Sequence, residues 1–198
     1  MKKQNRREFL KTAALYSSML AAGGCTESLK LRSAKRPNII YIYTDQQSAA
    51  MMSCAGNPWL KTPAMDYIAK NGIRFTRAYT TNPVCSPARV SLMTGRFPGA
   101  FNDKNGKSAR ENRGASNLEP LCEEVKNTTL GVFLQKAGYK LAFGGKRHLP
   151  PELDPKVQGF DYFCKDERGL LAEESAKWLR PEHDKPYFMG VSLINPHD

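Results

Sequence analysis

The sequence of 198 residues has no pair of cysteines at the Cys-x-x-Cys spacing, which excludes the common cysteine-rich zinc sites. Its five cysteines are Cys25, Cys54, Cys85, Cys122 and Cys164. In an oxidising compartment some of Cys54, Cys122 and Cys164 are available to pair, but three cysteines cannot all do so. We therefore expect no framework of disulfides.

Acidic residues are scarce, with 19 Asp and Glu against 30 Lys and Arg and a net charge of +11. The excess is concentrated at the start of the chain. Residues 1–36 hold nine basic and two acidic residues, a balance of +7, which leaves 21 basic against 17 acidic residues and +4 for the remainder. Such a modest surplus is typical of a protein with a local anion site, so we predict no nucleic-acid partner.

The first 36 residues contain no apolar run long enough to span a bilayer, since their longest runs only from Thr12 to Ala22. It follows Asn5-Arg6-Arg7-Glu8-Phe9-Leu10-Lys11, which resembles a twin-arginine export signal. A basic amphipathic helix is the alternative. The resemblance implies recognition by the twin-arginine export machinery and divides the chain into a signal and linker, residues 1–36, and a folded part, residues 37–198.

The segment Ala22-Gly23-Gly24-Cys25 resembles a bacterial lipoprotein cleavage box, in which Cys25 would be lipidated. Ala22 stands where the box usually has a large aliphatic residue, so a plain linker cysteine is the alternative. Together the two segments predict an exported bacterial protein, either periplasmic or lipid-anchored at the cell envelope.

Strand patterns alternate with helical patterns along the rest of the chain. Strands are predicted at residues 38–43, 73–80, 139–143 and 187–194, and the nearly continuous apolar run of the first predicts burial on both faces. Helices are predicted at residues 62–70, 86–95, 129–136 and 167–179. Residues 99–120 lack periodicity, which predicts a long surface loop. This alternation predicts an α/β fold with a mostly parallel sheet flanked by helices on both faces.

Candidate site residues follow each of the four predicted strands. They are Asp45 and Gln46 after the first, Cys85 after the second, Lys146 and His148 after the third, and His197 after the fourth. In open α/β sheets ligands bind beyond the carboxyl ends of the strands, so this shared placement indicates a site. Each residue also has a structural alternative: a capping aspartate, a solvated loop lysine or a satisfied loop histidine.

Residues 85–96 form the most specific sequence pattern of the chain. Pro87 is tolerated only in the first turn of a helix, which places Cys85 at or just before the helix N-terminus. Unpaired backbone N–H groups and the helix dipole favour a developing oxyanion there. Arg89 lies four residues further on the same helical face, so its guanidinium can reach the same centre. The alternatives are a half-buried cysteine beside a capping serine, or Ser86 as a hydroxyl nucleophile.

The pattern Cys85-x-Pro87-x-Arg89, followed by Leu92-x-Thr94-Gly95-Arg96, resembles the signature of the formylglycine-dependent sulfatases, in which the cysteine is oxidised to formylglycine. Three further segments support the resemblance. Asn38 to Asp45 is similar to the family's first strand with its metal carboxylate, Gly145 to Leu149 to its Gly-Lys-x-His-Leu sulfate-binding segment, and Asn195-Pro196-His197 to its Pro-His segment. The resemblance implies an alkaline-phosphatase-like α/β fold.

The resemblance also implies a mechanism. Formylglycine at position 85 hydrates to a geminal diol, and a divalent cation, usually calcium, activates one hydroxyl for attack on sulfur. The implied metal ligands are Asp45, Gln46 and residue 85. Lys146 and Arg89 would neutralise sulfuryl charge, His148 would take the proton of the second hydroxyl, and His197 would assist departure of the alcohol. The implied partners are a formylglycine-generating or radical maturase and a sulfated small molecule or glycan.

Two departures from the family pattern bear on function. Gln46 stands where many members have a second carboxylate, and an amide oxygen brings no charge to a hard cation. The chain also ends at Asp198, before the family's second metal-ligand segment, so we expect a fold incomplete at its C-terminus. Three interpretations of the chain remain open. It is a portion of a sulfate ester hydrolase, a truncated non-catalytic remnant of one, or a phosphonate or phosphate ester hydrolase of the same superfamily.

A last feature concerns the substrate. The basic residues of the predicted loop are suited to an acidic sulfated glycan, although an ordinary solvated loop explains them equally well. They are Lys104, Lys107, Arg110 and Arg113.

Overall fold

The computed structural model describes residues 36–102 and 121–197, and their centre is a four-stranded sheet of order β1-β4-β2-β3. The strands are β1 (Ile39–Tyr43), β2 (Lys140–Gly145), β3 (Asp161–Cys164) and β4 (Tyr187–Ser192). The helices are α1 (Pro63–Asn71), α2 (Cys85–Thr94), α3 (Glu123–Lys126), α4 (Leu130–Lys136) and α5 (Leu171–Leu179). Short 3-10 turns lie at Ser53–Ala55, Pro98–Ala100 and Pro151–Leu153.

Three features predicted from the sequence lie outside the described residues: the export signal, Cys25, and the four basic residues of the 99–120 loop. Among the helices that are described, none is both long and apolar enough to cross a membrane.

All three strand pairs of the sheet are parallel, and each face carries its own apolar cluster. Side chains alternate along a strand, so Leu141 and Phe143 of β2 point to one face and Ala142 to the other. The first cluster includes Val90 of α2, and the second includes Leu171 of α5. Helices therefore cover both faces, which confirms the predicted α/β class.

Strand β1 forms where the sequence predicts it, but the prediction that it is buried on both faces is wrong. Its first four side chains are 36–58% exposed, on both faces of the strand. The reason is position: β1 lies at the edge of the described sheet, and β4 is the only described element that packs extensively against it. An apolar run indicates that its side chains favour burial. Burial occurs only where neighbouring strands or helices cover those side chains.

The strand predicted at residues 73–80 is absent, and this segment is irregular. Ile73, Phe75 and Tyr79 are 81%, 77% and 87% exposed. Branched and aromatic residues favour a strand only where a neighbouring strand is available to pair, because strand preference depends on tertiary context.

Two smaller differences concern the region around α5. The helix begins at Leu171 rather than at residue 167, because Asp166 accepts hydrogen bonds from the backbone N–H groups of Arg168 (2.8 Å) and Leu170 (3.0 Å). These bonds form a turn that precedes the helix. Strand β3 was not predicted, because it is only four residues long and mostly not fully buried.

Candidate active site

Cys85 is the first residue of α2, as the proline rule predicts. Val84 before it is extended, and Pro87 is the third helical residue, where its missing N–H costs no helical hydrogen bond. Gly95 ends the helix in a left-handed conformation (φ 67°), with its N–H bonded to the carbonyl oxygen of Ser91 at 2.8 Å. The local sequence thus sets Cys85 at the positive end of a ten-residue helix.

A buried cluster of three charged side chains lies beyond the carboxyl ends of β1 and β2. The Oδ2 atom of Asp45 lies 2.8 Å from Nζ of Lys146 and 3.1 Å from Nη2 of Arg89. All three residues are buried, with 5–8% of each exposed. One carboxylate faces two cations, so the cluster carries a net positive charge and is suited to an anionic ligand.

Asp45 is ionised within this cluster. Burial on its own raises the pKa of the carboxyl group, but hydrogen bonds and charge from Lys146 and Arg89 outweigh it and hold the pKa below the ordinary value of 3.8. The backbone also secures Asp45, because its N–H donates to the carbonyl oxygen of Asn195 at 3.2 Å.

The other terminal nitrogen of Arg89 faces three uncharged oxygen acceptors. Its Nη1 atom lies 2.7 Å from Oγ of Ser192, 2.8 Å from the carbonyl oxygen of Lys146 and 3.2 Å from the hydroxyl of Tyr43. The guanidinium also stacks over the Tyr43 ring, 5.0 Å from its centroid. The position of Arg89 is thus defined by the ends of three strands.

His148 pairs with Cys85. Its Nδ1 atom lies 3.1 Å from the Sγ atom of Cys85. Burial lowers the pKa of His148, and the cations Lys146 and Arg89 lower it further, which favours the neutral imidazole. The backbone of His148 is left-handed (φ 45°), an uncommon conformation for a residue other than glycine that is concentrated at functional sites.

A cavity of about 700 Å³ opens over this region. Asp45, Gln46, Cys85, Arg89 and His197 line it, and Lys146 and His148 contact Asp45 and Cys85, respectively. Gln46 is exposed and also has a left-handed backbone (φ 56°). The structure therefore places all seven predicted site residues in or directly beside one cavity.

The described residues alone do not make a calcium site. Within residues 36–102 and 121–197 there is no group of three or more His, Cys, Asp or Glu side chains arranged to hold a metal ion. Asp45 supplies the one carboxylate, and it is already paired with two cations, whereas calcium takes six to eight oxygen ligands. Metal binding by Asp45, Gln46 and residue 85 stays a prediction.

Three residues of the site were not predicted from the sequence. Tyr43 and Ser192 contact Arg89. Tyr43 ends the first predicted strand, whereas Ser192 lies within the predicted run 187–194 and had no signal of its own. Asn82 lines the cavity, and its buried Oδ1 atom has no hydrogen-bond partner among the described residues. Nothing in the local sequence distinguished Asn82 from an ordinary loop residue.

Comparisons with known proteins identify the family of the chain. Residues 37–198 match the family model described as sulfatase. The chain is 36% identical over 152 residues to an N-acetylglucosamine-6-O-sulfatase of Bacteroides thetaiotaomicron, an alignment covering 77% of this chain and 24% of the relative. It is 38% identical over 198 residues to an ulvan-active sulfatase of Formosa agariphila, covering 82% of this chain and 36% of the relative. The chain thus spans about a quarter to a third of the length of these relatives.

Solved structures show the same fold. One, in complex with its substrate D-glucosamine-2-N,6-O-disulfate, is 26% identical to this chain with a TM-score of 0.59, and the match covers 82% of this chain and 35% of that one. A second, in complex with a neocarrahexaose, is 22% identical with a TM-score of 0.58, covers 83% of this chain and 46% of that one, and shows the fold alone.

Proposed function

The chain belongs to the sulfatase family, and on this premise we propose that the whole protein hydrolyses a sulfate ester through a formylglycine made from Cys85. The observation that carries the proposal is the position of Cys85. Cys85 begins α2 and lines the cavity, 3.1 Å from His148, and the buried Arg89 lines the same cavity.

The residues around position 85 suit a formylglycine side chain. The hydroxyls of a hydrated formylglycine are attached to the same Cβ as the cysteine sulfur, so His148 is within reach of them. Such a side chain supplies one hydroxyl as the nucleophile and a second that allows the aldehyde to form again after turnover. The pKa of His148 is lowered by burial and by the two cations, which favours a neutral imidazole able to accept a proton from this position.

Lys146 and Arg89 would stabilise negative charge on the sulfuryl group. Both are buried, and a charge interacts more strongly in a site from which water is excluded. Asp45 offsets one of the two positive charges and holds both cations in place. His197 lines the same cavity and is the residue we assign to protonation of the departing alcohol. We expect a divalent cation, calcium, to bind at Asp45 and Gln46. This cation needs more oxygen ligands than the described residues supply.

We propose a sulfated sugar as the substrate. Its support is that relatives of this chain are named N-acetylglucosamine-6-O-sulfatase and ulvan-active sulfatase, and that a similar structure holds a sulfated glucosamine.

The proposal also includes a formylglycine-generating or radical maturase as a partner, export by the twin-arginine machinery, and a periplasmic or lipid-anchored location. Their support is the signature at residues 85–96 and the arginine pair Arg6-Arg7.

The decisive experiment compares two neighbouring residues in the whole protein, co-expressed with a maturase. Cys85→Ala should abolish turnover of an aryl sulfate, whereas Ser86→Ala should keep it, because Ser86 is the alternative nucleophile. Mass spectrometry of the peptide containing residue 85 should show a thiol converted to an aldehyde. Retained turnover in Cys85→Ala contradicts the proposal, and faster turnover of an aryl phosphonate than of the sulfate assigns the protein to phosphonate hydrolysis.

A further inference from the structure

Three strands end in register beneath the guanidinium of Arg89. Tyr43 of β1 pairs with Ser192 of β4, and Ser192 pairs with Gly145 of β2. The Nη1 atom of Arg89 contacts the two hydroxyls of this row and the carbonyl oxygen of Lys146, which follows Gly145. One side chain of α2 is thus held at the same point by three strands that are far apart in the sequence.

We propose that Ser192 and Tyr43 are positioning residues that hold Arg89 in the geometry needed for sulfate transfer. The proposal rests on the proposed function, because it assigns Arg89 to the sulfuryl group. Neither residue needs to touch the substrate. Their effect is on the orientation of Arg89, which lies one helical turn from Cys85.

The chemistry of the acceptors supports a positioning role. Hydroxyl and carbonyl oxygens carry no net charge, so they orient a guanidinium without neutralising it. Asp45, by contrast, contacts the other terminal nitrogen and offsets charge. Binding Arg89 through three uncharged acceptors and one carboxylate leaves a fixed cation in a net positive cluster, which is what an incoming sulfate requires.

Ser192 is the more important of the two. It has no exposed surface, and its Oγ atom makes the shortest contact with Arg89, at 2.7 Å. Its carbonyl oxygen accepts the backbone N–H of Lys146 at 2.9 Å, so the same residue supports both cations.

The test uses Ser192→Ala and Tyr43→Phe in the matured whole protein, with an aryl sulfate as the probe. We expect Ser192→Ala to lower kcat roughly tenfold and Tyr43→Phe, which loses the longer contact, roughly threefold, with KM changed less than kcat. Ser175→Ala is the matched control. Its buried hydroxyl donates to the carbonyl oxygen of Leu171 in α5 at 2.6 Å, so it reports the general effect of losing such a group.

A double-mutant cycle separates positioning from stability. In an Arg89→Lys background, Ser192→Ala should have almost no further effect on kcat. The reason is that Ser192 affects kcat only by orienting the guanidinium of Arg89, which this background lacks. Equal effects in both backgrounds overturn the proposal, as does a Ser192→Ala variant that matches Ser175→Ala in kcat. A loss of kcat that disappears when the assay temperature is lowered indicates a merely structural role and also overturns it.

Crystal structures distinguish this proposal from the proposed function. Arg89 in Ser192→Ala should shift or occupy more than one position, whether or not the protein turns over sulfate esters. An unchanged, fully ordered Arg89 refutes the positioning role. Absence of aryl sulfate turnover in the matured wild type refutes the proposed function instead.

Discussion

Replacing Asp45 by asparagine tests the charge cluster most directly. The change keeps the shape of the side chain but removes the negative charge that faces Arg89 and Lys146, which are only 5% and 8% exposed. Removing one partner of a buried ion pair costs about 3–5 kcal/mol, because a charge is left buried without compensation. The amide oxygen of asparagine keeps one acceptor, so we expect a loss of about 3 kcal/mol in the free energy of unfolding.

The assay is urea unfolding at pH 7 in metal-free buffer, with Asp184→Asn as the control. Asp184 is exposed, and its replacement should change the free energy of unfolding by less than about 0.5 kcal/mol. The pKa of Asp45 is lowered in the folded protein, so its contribution is complete above the ordinary value of 3.8 and is lost as the pH falls below it. Equal stabilities of Asp45→Asn and Asp184→Asn at pH 7 would refute the buried-pair reasoning.

Two further predictions concern the backbone and the pH dependence. Gly145→Ala should cost about 3 kcal/mol or more, because Gly145 has φ 87° and a Cβ there would overlap the carbonyl oxygen of Ser192. Gly56→Ala, with φ 94° and no atom within 4 Å of the added Cβ, should cost only about 1 kcal/mol in the same urea assay, and equal costs would contradict the overlap argument. The acid limb of the profile of kcat/KM against pH should have its midpoint below 6.5, because burial and two cations lower the pKa of His148. His148→Gln should remove that limb, and a midpoint above 6.5 would contradict the assignment.

The site could be predicted from the sequence where a local rule applies. Pro87 and Gly95 define the two ends of α2, and they place Cys85 at its N-terminus without knowledge of any other part of the chain. The residues after β1, β2 and β4 could also be predicted to meet, because parallel strands bring their carboxyl ends to one edge.

The partners of Arg89 could not be predicted in this way. Ser192 lies 103 positions away and Tyr43 lies 46 positions away, and neither has a local pattern that points to a guanidinium. Nor could the sequence show that Asp45 is shared by two cations. These contacts depend on strand register, which is a property of the assembled sheet.

The errors have the same physical origin. Residues 38–43 and 73–80 are both predicted to be strands, yet residues 39–43 form an edge strand and residues 73–80 are irregular. Preference for a strand is local, whereas pairing and burial require a neighbour.

The sequence by itself determined the α/β class, the helix that presents Cys85 and the family to which the chain belongs. Only the tertiary structure decided which strands are buried and how Arg89, Lys146 and Asp45 are held together. The reason is that helix ends follow from the geometry of a few consecutive residues, whereas a buried charge cluster exists only when distant segments exclude water together.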